Sequence, residues 1–166
     1  MFKTAGRLIN LKTLFLVALY VIFKSDNKNI KTYEIKEESM SPSLLPEDYV
    51  IAVKNKGALN RGDIVIFKNH EKSFDVVKRV IGLPGETVSS EDGKILINNS
   101  EIDDVWAKTL TDDFIQQTLG EEEVFVLGDQ RRLSSSDSRT LGPISKTDCL
   151  KIKYRYWPYQ RFKAYE

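Results

Sequence analysis

Cysteine and histidine are nearly missing from this chain of 166 residues, which holds one of each, Cys149 and His70. A single cysteine excludes an intramolecular disulfide and any multi-cysteine metal site. A single histidine removes most zinc sites and leaves every histidine-based triad dependent on His70. That residue sits in the turn-like Asn69-His70-Glu71, and no Gly-x-Ser-x-Gly elbow occurs, so His70 reads as an exposed turn residue. An excess of charge of one sign is missing too. Lys plus Arg number 25 and Asp plus Glu 24, a net charge of +1, which excludes a general nucleic-acid binder with its basic face. There is no repeat of fixed period and no low-complexity tract.

Acidic residues are absent from residues 1–24, which carry Lys3, Arg7, Lys12 and Lys24. Taking these four from 25 leaves 21 basic against 24 acidic side chains, so the remainder is slightly acidic at −3. From Leu8 to Phe23, 13 of 16 residues are apolar or aromatic, and Thr13–Phe23 has no charge. A membrane span takes about 20 residues, so this one spans with its flanks counted and Lys12 reaching for the interface. A basic start before a short apolar core also fits a cleavable secretory signal, but Lys24-Ser25-Asp26-Asn27-Lys28 offers no small-x-small cleavage pair. A buried core helix is the third reading, and apolar residues on all sides count against it. The reading favoured is an uncleaved anchor over 1–24, with the N-terminus cytoplasmic by the positive-inside rule and the rest extracytoplasmic.

Residues 25–31 are polar and read as a linker, and 32–166 as one domain with a small insertion around 89–123. Strand-like stretches dominate: Tyr33–Lys36, Tyr49–Val53, Asp63–Phe67, Phe74–Ile81, Gly93–Ile97, Val124–Leu127 and the alternating Cys149–Pro158. Turn chemistry separates them at Leu45-Pro46-Glu47-Asp48, Asn60-Arg61-Gly62-Asp63, Leu83-Pro84-Gly85 and Asp92-Gly93. One helix is expected around Asp112–Leu119. The fold class is mostly β, a small antiparallel sheet or barrel-like domain preceded by a single transmembrane helix. Cys149 reads as a structural thiol. Trp106, Tyr154, Tyr156, Trp157 and Tyr159 suit either an aromatic belt at a membrane surface or core and edge packing.

Four segments could carry chemistry. Glu38-Ser39-Met40-Ser41-Pro42-Ser43-Leu44 places a serine at a strand end before a proline that denies the chain a helix. Phe74–Gly85 places Lys78, by period-two alternation, on the face of Phe74, Val76 and Val80. Burying an unpaired ammonium is costly, so such a lysine is driven toward the neutral amine, which can serve as a general base; at the surface it would simply reach water. Arg61–Phe67 is a turn feeding an apolar strand, and reads as plain β-core. Gly128–Pro143 is dense in Ser, Asp and Arg, suited to a hydrogen-bonded loop propping a neighbouring site or to a linker.

In this order and spacing, the four segments resemble the boxes of type I signal peptidases, the membrane-anchored Ser/Lys endopeptidases. Ser39-Met40-Ser41-Pro42-Ser43-Leu44 is similar to the family's Ser-Met-x-Pro-Thr-Leu box, and Gly62-Asp63-Ile64-Val65 to its Gly-Asp-hydrophobic-Val box. Lys78–Gly85 matches the general-base box almost letter for letter, and Gly128-Asp129 through Asp137-Ser138-Arg139 the last box. The single anchor and the short interval before the last box look more like the Gram-positive bacterial form. The chain departs from the pattern at Gln130, where the family has Asn, at Leu133, and by one extra residue before Asp137. Glu37 stands two residues before the serine, where some members carry a hydroxyl that helps the oxyanion hole.

The resemblance implies a Ser39 nucleophile, a Lys78 general base, and Ser135, Asp137 and Arg139 as supports, with Ser134 or Ser136 in place of Ser135 as alternatives. It further implies that Met40, Leu44 and Val77 line shallow pockets for small residues one and three before the cut. Neither metal nor cofactor is needed, and the partners are preprotein substrates and the membrane. Rival readings are a catalytically idle or dedicated factor for surface or pilus assembly, and a mitochondrial inner-membrane processing peptidase. A self-cleaving repressor of the Ser/Lys class would need a DNA-binding head where this chain has its apolar run.

Overall fold

Two apolar stretches set the architecture, because every residue of each is buried. The structure, a computed structural model, describes residues 29–55, 57–69 and 73–165. The expected anchor, residues 25–28 of the linker and His70 lie outside these residues. Ile64 and Ile66 point into one apolar cluster with Ile35, Val50 and Ile152, whereas Val65 and Phe67 point into a second with Val80 and Val126. In the same way Val124 and Val126 enter the second cluster, and Phe125 and Leu127 a third with Val88 and Ile95. A strand covered on both faces reads as an unbroken apolar run rather than an alternating one.

Among the described residues the strands are β1 (Ile30–Glu34), β2 (Tyr49–Lys54), β3 (Ile64–Asn69), β4 (Phe74–Gly82), β5 (Thr87–Glu91) and β6 (Lys94–Ile97). They continue with β7 (Ser100–Glu101), β8 (Gln117–Thr118), β9 (Glu123–Leu127), β10 (Ile144–Ser145), β11 (Leu150–Trp157) and β12 (Lys163–Ala164). The main sheet runs β1-β2-β11-β3-β4-β9-β10, with β12 on β11, and every pairing is antiparallel. A second antiparallel sheet, β7-β6-β5-β8, is built from residues 87–118. Its hairpin turns at Asp92-Gly93, with φ of 51° and 77°, the pair of positive values that matches the strands' twist. Asn98 and Asn99, at 52° and 64°, make the next such turn.

The helix expected over Asp112–Leu119 is not there. This segment bonds sideways to β5 and its neighbours: Phe114 N–H donates to Ser90 Oγ at 2.8 Å, Leu119 N–H to Glu86 O at 2.9 Å, and Gln117–Thr118 pair as β8. Its anchors are Phe114, stacked on Phe125 at 5.1 Å, and the buried Leu119. Five residues apart, they do not fall on one helical stripe. The one short α-helix among the described residues, α1 (Ser138–Leu141), is capped by the Asp137 carboxylate.

Cys149 is buried in the second cluster, and burial pushes its thiol up to about 12. Tyr154, Trp157 and Tyr159 are exposed, Tyr156 is half-buried against Tyr49, and Trp106 packs under the Arg79 guanidinium at 5.3 Å. No helix among the described residues is long and apolar enough to cross a membrane.

Candidate active site

The chain leaves β1 at Glu34 and turns sharply through 38–44. Ser41 N–H bonds Glu38 O and Leu44 N–H bonds Met40 O, both at 2.9 Å. Met40 and Leu44 sink into the first cluster and pin this turn to the core. From outside, the Gln130 N–H donates to Ser39 O at 3.0 Å. Gly128 backs the same carbonyl so closely that a Cβ there would meet Ser39 O at 2.8 Å and Ser134 Cβ at 2.5 Å. Ser39 is thereby held from the core side and from the 128–139 loop at once.

β4 brings Lys78 to it. Lys78 is 3 % exposed, and its Nζ donates to Ser39 Oγ and to Val77 O, each at 2.8 Å. Burial pushes this lysine down to about 8 from its ordinary 10.5. The carboxylates of Asp137, Glu37 and Asp129 pull the other way, and Arg139 works with the burial. Among the described residues no carboxylate forms an ion pair with Nζ, so desolvation wins. Once neutral, the amine accepts a hydrogen bond from the Ser39 hydroxyl across the same contact. The Ser39 N–H takes no partner among the described residues.

Two buried arginine–carboxylate assemblies surround this pair. Arg79 binds Asp129 through two N–H···O bonds and also reaches Gly62 O at 2.7 Å and Ser43 Oγ at 2.9 Å. It thus ties the lysine strand, the nucleophile turn and the Gly62 turn together. Arg139 holds Asp137 by Nε at 3.0 Å and Nη2 at 2.8 Å, and the carbonyls of Arg131 and Ser134 at 2.7 Å each. Arg131, in turn, pairs with Asp104 at 2.7 Å and donates to Gly128 O at 2.7 Å. Such charge-assisted, forked bonds fix geometry as well as add energy.

The structure brings Ser39, Lys78, Met40 and Val77 to one cavity of about 270 Å³, with Ser135 and Ser136 on its wall. Leu44 is the exception among the expected pocket residues: the 40–44 turn rotates it inward, and it is fully buried in the first cluster rather than in the cavity wall. The serine that bonds Asp137 is Ser134, at 2.6 Å, whereas the Ser135 side chain is exposed and only its carbonyl is used, by Thr140 Oγ1. The extra residue in this loop accounts for the offset. Sequence reasoning missed Tyr33, Ile66 and Asp75, which also line the cavity. Ile66 could have been found from its register opposite Val77. Among the described residues no group of three or more His, Cys, Asp or Glu side chains is arranged to hold a metal ion.

The chain is similar to known proteins over most of its length. The family model described as signal peptidase, peptidase S26, matches residues 8–157. Signal peptidase I of Bacillus caldolyticus is 34 % identical, over 78 % of this chain and 81 % of the relative. Signal peptidase IB of Staphylococcus aureus (strain COL) is 31 % identical over 89 % and 88 %. The crystal structure of a signal peptidase I from Enterococcus faecalis V583 superposes with a TM-score of 0.51 at 31 % identity, covering 59 % of this chain and 98 % of that one.

Proposed function

Because the chain belongs to the peptidase S26 family of type I signal peptidases, we propose that it removes signal peptides with Ser39 as nucleophile and neutral Lys78 as general base. The observation that carries this assignment is the 2.8 Å contact between Lys78 Nζ and Ser39 Oγ, made inside the core, where burial lowers the amine's pKa to about 8 and makes the neutral form accessible near neutral pH.

The preprotein lies extended along β1, which ends the main sheet and leaves one edge unpaired by any described strand, so the substrate adds a strand there. Met40 and Val77 leave room on the cavity floor for small side chains one and three residues before the cut. Lys78 takes the Ser39 hydroxyl proton as Oγ attacks the scissile carbonyl. The unpartnered Ser39 N–H stabilises the oxyanion, a role whose loss typically costs about 10²–10³ in rate. The Lys78 ammonium then protonates the leaving amine, and water activated by the regenerated amine hydrolyses the acyl-enzyme. Ser134, Asp137 and Arg139 hold the loop behind Lys78, with Ser135 and Ser136 on the cavity wall. Residues 1–24 anchor the enzyme, and tethering in the substrate's own membrane raises the effective concentration of cut sites.

The full chain in detergent, given a preprotein with an Ala-x-Ala site, tests the assignment. Wild type cuts, while Ser39→Ala and Lys78→Ala do not although both remain folded. Cleavage by folded Lys78→Ala at the wild-type rate overturns it.

A further inference from the structure

The cavity floor is apolar, but its rim is not. Glu34, Lys36, Glu37 and Asp75 border it, three carboxylates against one ammonium. Two of the carboxylates are engaged: Glu34 is held by Lys36 at 2.5 Å, and Asp75 acts on the Tyr33 hydroxyl, whose ionisation it opposes. Glu37 is exposed and has no hydrogen bond or ion pair among the described residues, although it lies close enough to act electrostatically on Lys78. A free carboxylate two residues before the nucleophile is a poor neighbour for a developing oxyanion, so its presence there calls for a compensating cation.

The substrate itself can supply one. An extended chain turns alternate side chains to opposite sides. If the first and third residues before the cut enter the cavity, the second faces outward to the rim. Resting on the reading above, we propose that Glu37 is a specificity-determining residue that selects preproteins with a basic side chain at the second residue before the cut. A lysine or arginine there neutralises Glu37 and leaves the apolar floor to the small residues. An acidic residue there meets the net negative rim and is disfavoured.

The test uses the full chain in detergent and three peptides identical but for Ala-Lys-Ala, Ala-Gln-Ala or Ala-Glu-Ala before the cut. All are assayed at one pH and read as ratios of kcat/KM, in which any change in Lys78 titration cancels. Wild type is expected to favour the lysine over the glutamate peptide about fivefold, the upper range of a solvent-exposed ion pair, with glutamine between them. The preference shrinks as ionic strength rises, collapses toward unity in Glu37→Gln and reverses in Glu37→Lys. Cleavage of the glutamine peptide with equal rates for the other two overturns this inference alone, as does an undiminished ratio in Glu37→Gln. A glutamine peptide left uncut by wild type overturns the parent reading as well.

Discussion

Arg79 grips Asp129 through two parallel bonds, 2.7 Å from Nε to Oδ1 and 2.6 Å from Nη2 to Oδ2, with both side chains buried. The residue before Arg79 is Lys78, and the one after Asp129 donates its N–H to Ser39 O. One ion pair therefore clamps the strand that carries the base to the loop that holds the nucleophile.

Removing one partner strands a charge in the core. Asp129→Ala is expected to cost about 3–5 kcal/mol of stability and to lower kcat more than it raises KM, since Ser39 loses its outer support. Denaturant midpoints and steady-state kinetics on the same preparation check this. A stability loss below about 1 kcal/mol would show that the pair is not the clamp described.

Gly128→Ala tests the backing of Ser39. The new Cβ would lie 2.8 Å from a backbone oxygen and 2.5 Å from Ser134 Cβ, so something must shift. A displacement of about 1 Å at Ser39 can cost on the order of a hundredfold in rate, with a stability cost of about 1–3 kcal/mol from overpacking. Full activity in this variant would mean that the loop yields instead of the nucleophile.

Buried Lys78 also shapes stability against pH. Its folded pKa, about 8, lies below the ordinary 10.5, so between these values the unfolded chain binds more protons, and stability rises with pH across that window. Well below pH 8 the ammonium is charged in both states and the burial cost is at its greatest. The difference between 10.5 and 8 corresponds to about 3 kcal/mol. Lys78→Met should therefore be more stable than wild type by about that amount below pH 8, with the advantage fading by pH 10.5. Urea unfolding across this range measures it, and an advantage that does not depend on pH would contradict the linkage.

Cys149 should be inert. Its buried thiol, raised to about 12, has almost no thiolate at neutral pH. Alkylating reagents should label it only as fast as the domain opens and leave cleavage unaffected. Rapid labelling of the folded enzyme would show that the second cluster is not closed.

The sequence told much of this and missed some of it, for physical reasons. Lys78 stood out because a charge on an apolar strand face is expensive, but only the fold brings it to Ser39, 39 positions away. Apolar runs, alternation and turn chemistry located β2, β3, β4, β6, β9 and β11, since each carries a signal in its own residues. Asp112–Leu119 misled because its hydrogen bonds go to distant partners, Ser90 and Glu86, which local propensity cannot see. The box places Leu44 in a shallow pocket, whereas a turn closed by the Met40 carbonyl directs it into the core. Among three consecutive serines, spacing alone could not tell which one turns its hydroxyl to Asp137.

The central claim is that a neutral lysine activates Ser39, and the pH dependence of kcat/KM reads it most directly. The rate is expected to rise about tenfold per pH unit at low pH and to level off above a base pKa of about 8, and any residual cleavage by Lys78→Ala lacks this rise. A limb unchanged in Lys78→Ala, or placed in the ordinary histidine range of about 6–7, would contradict the account.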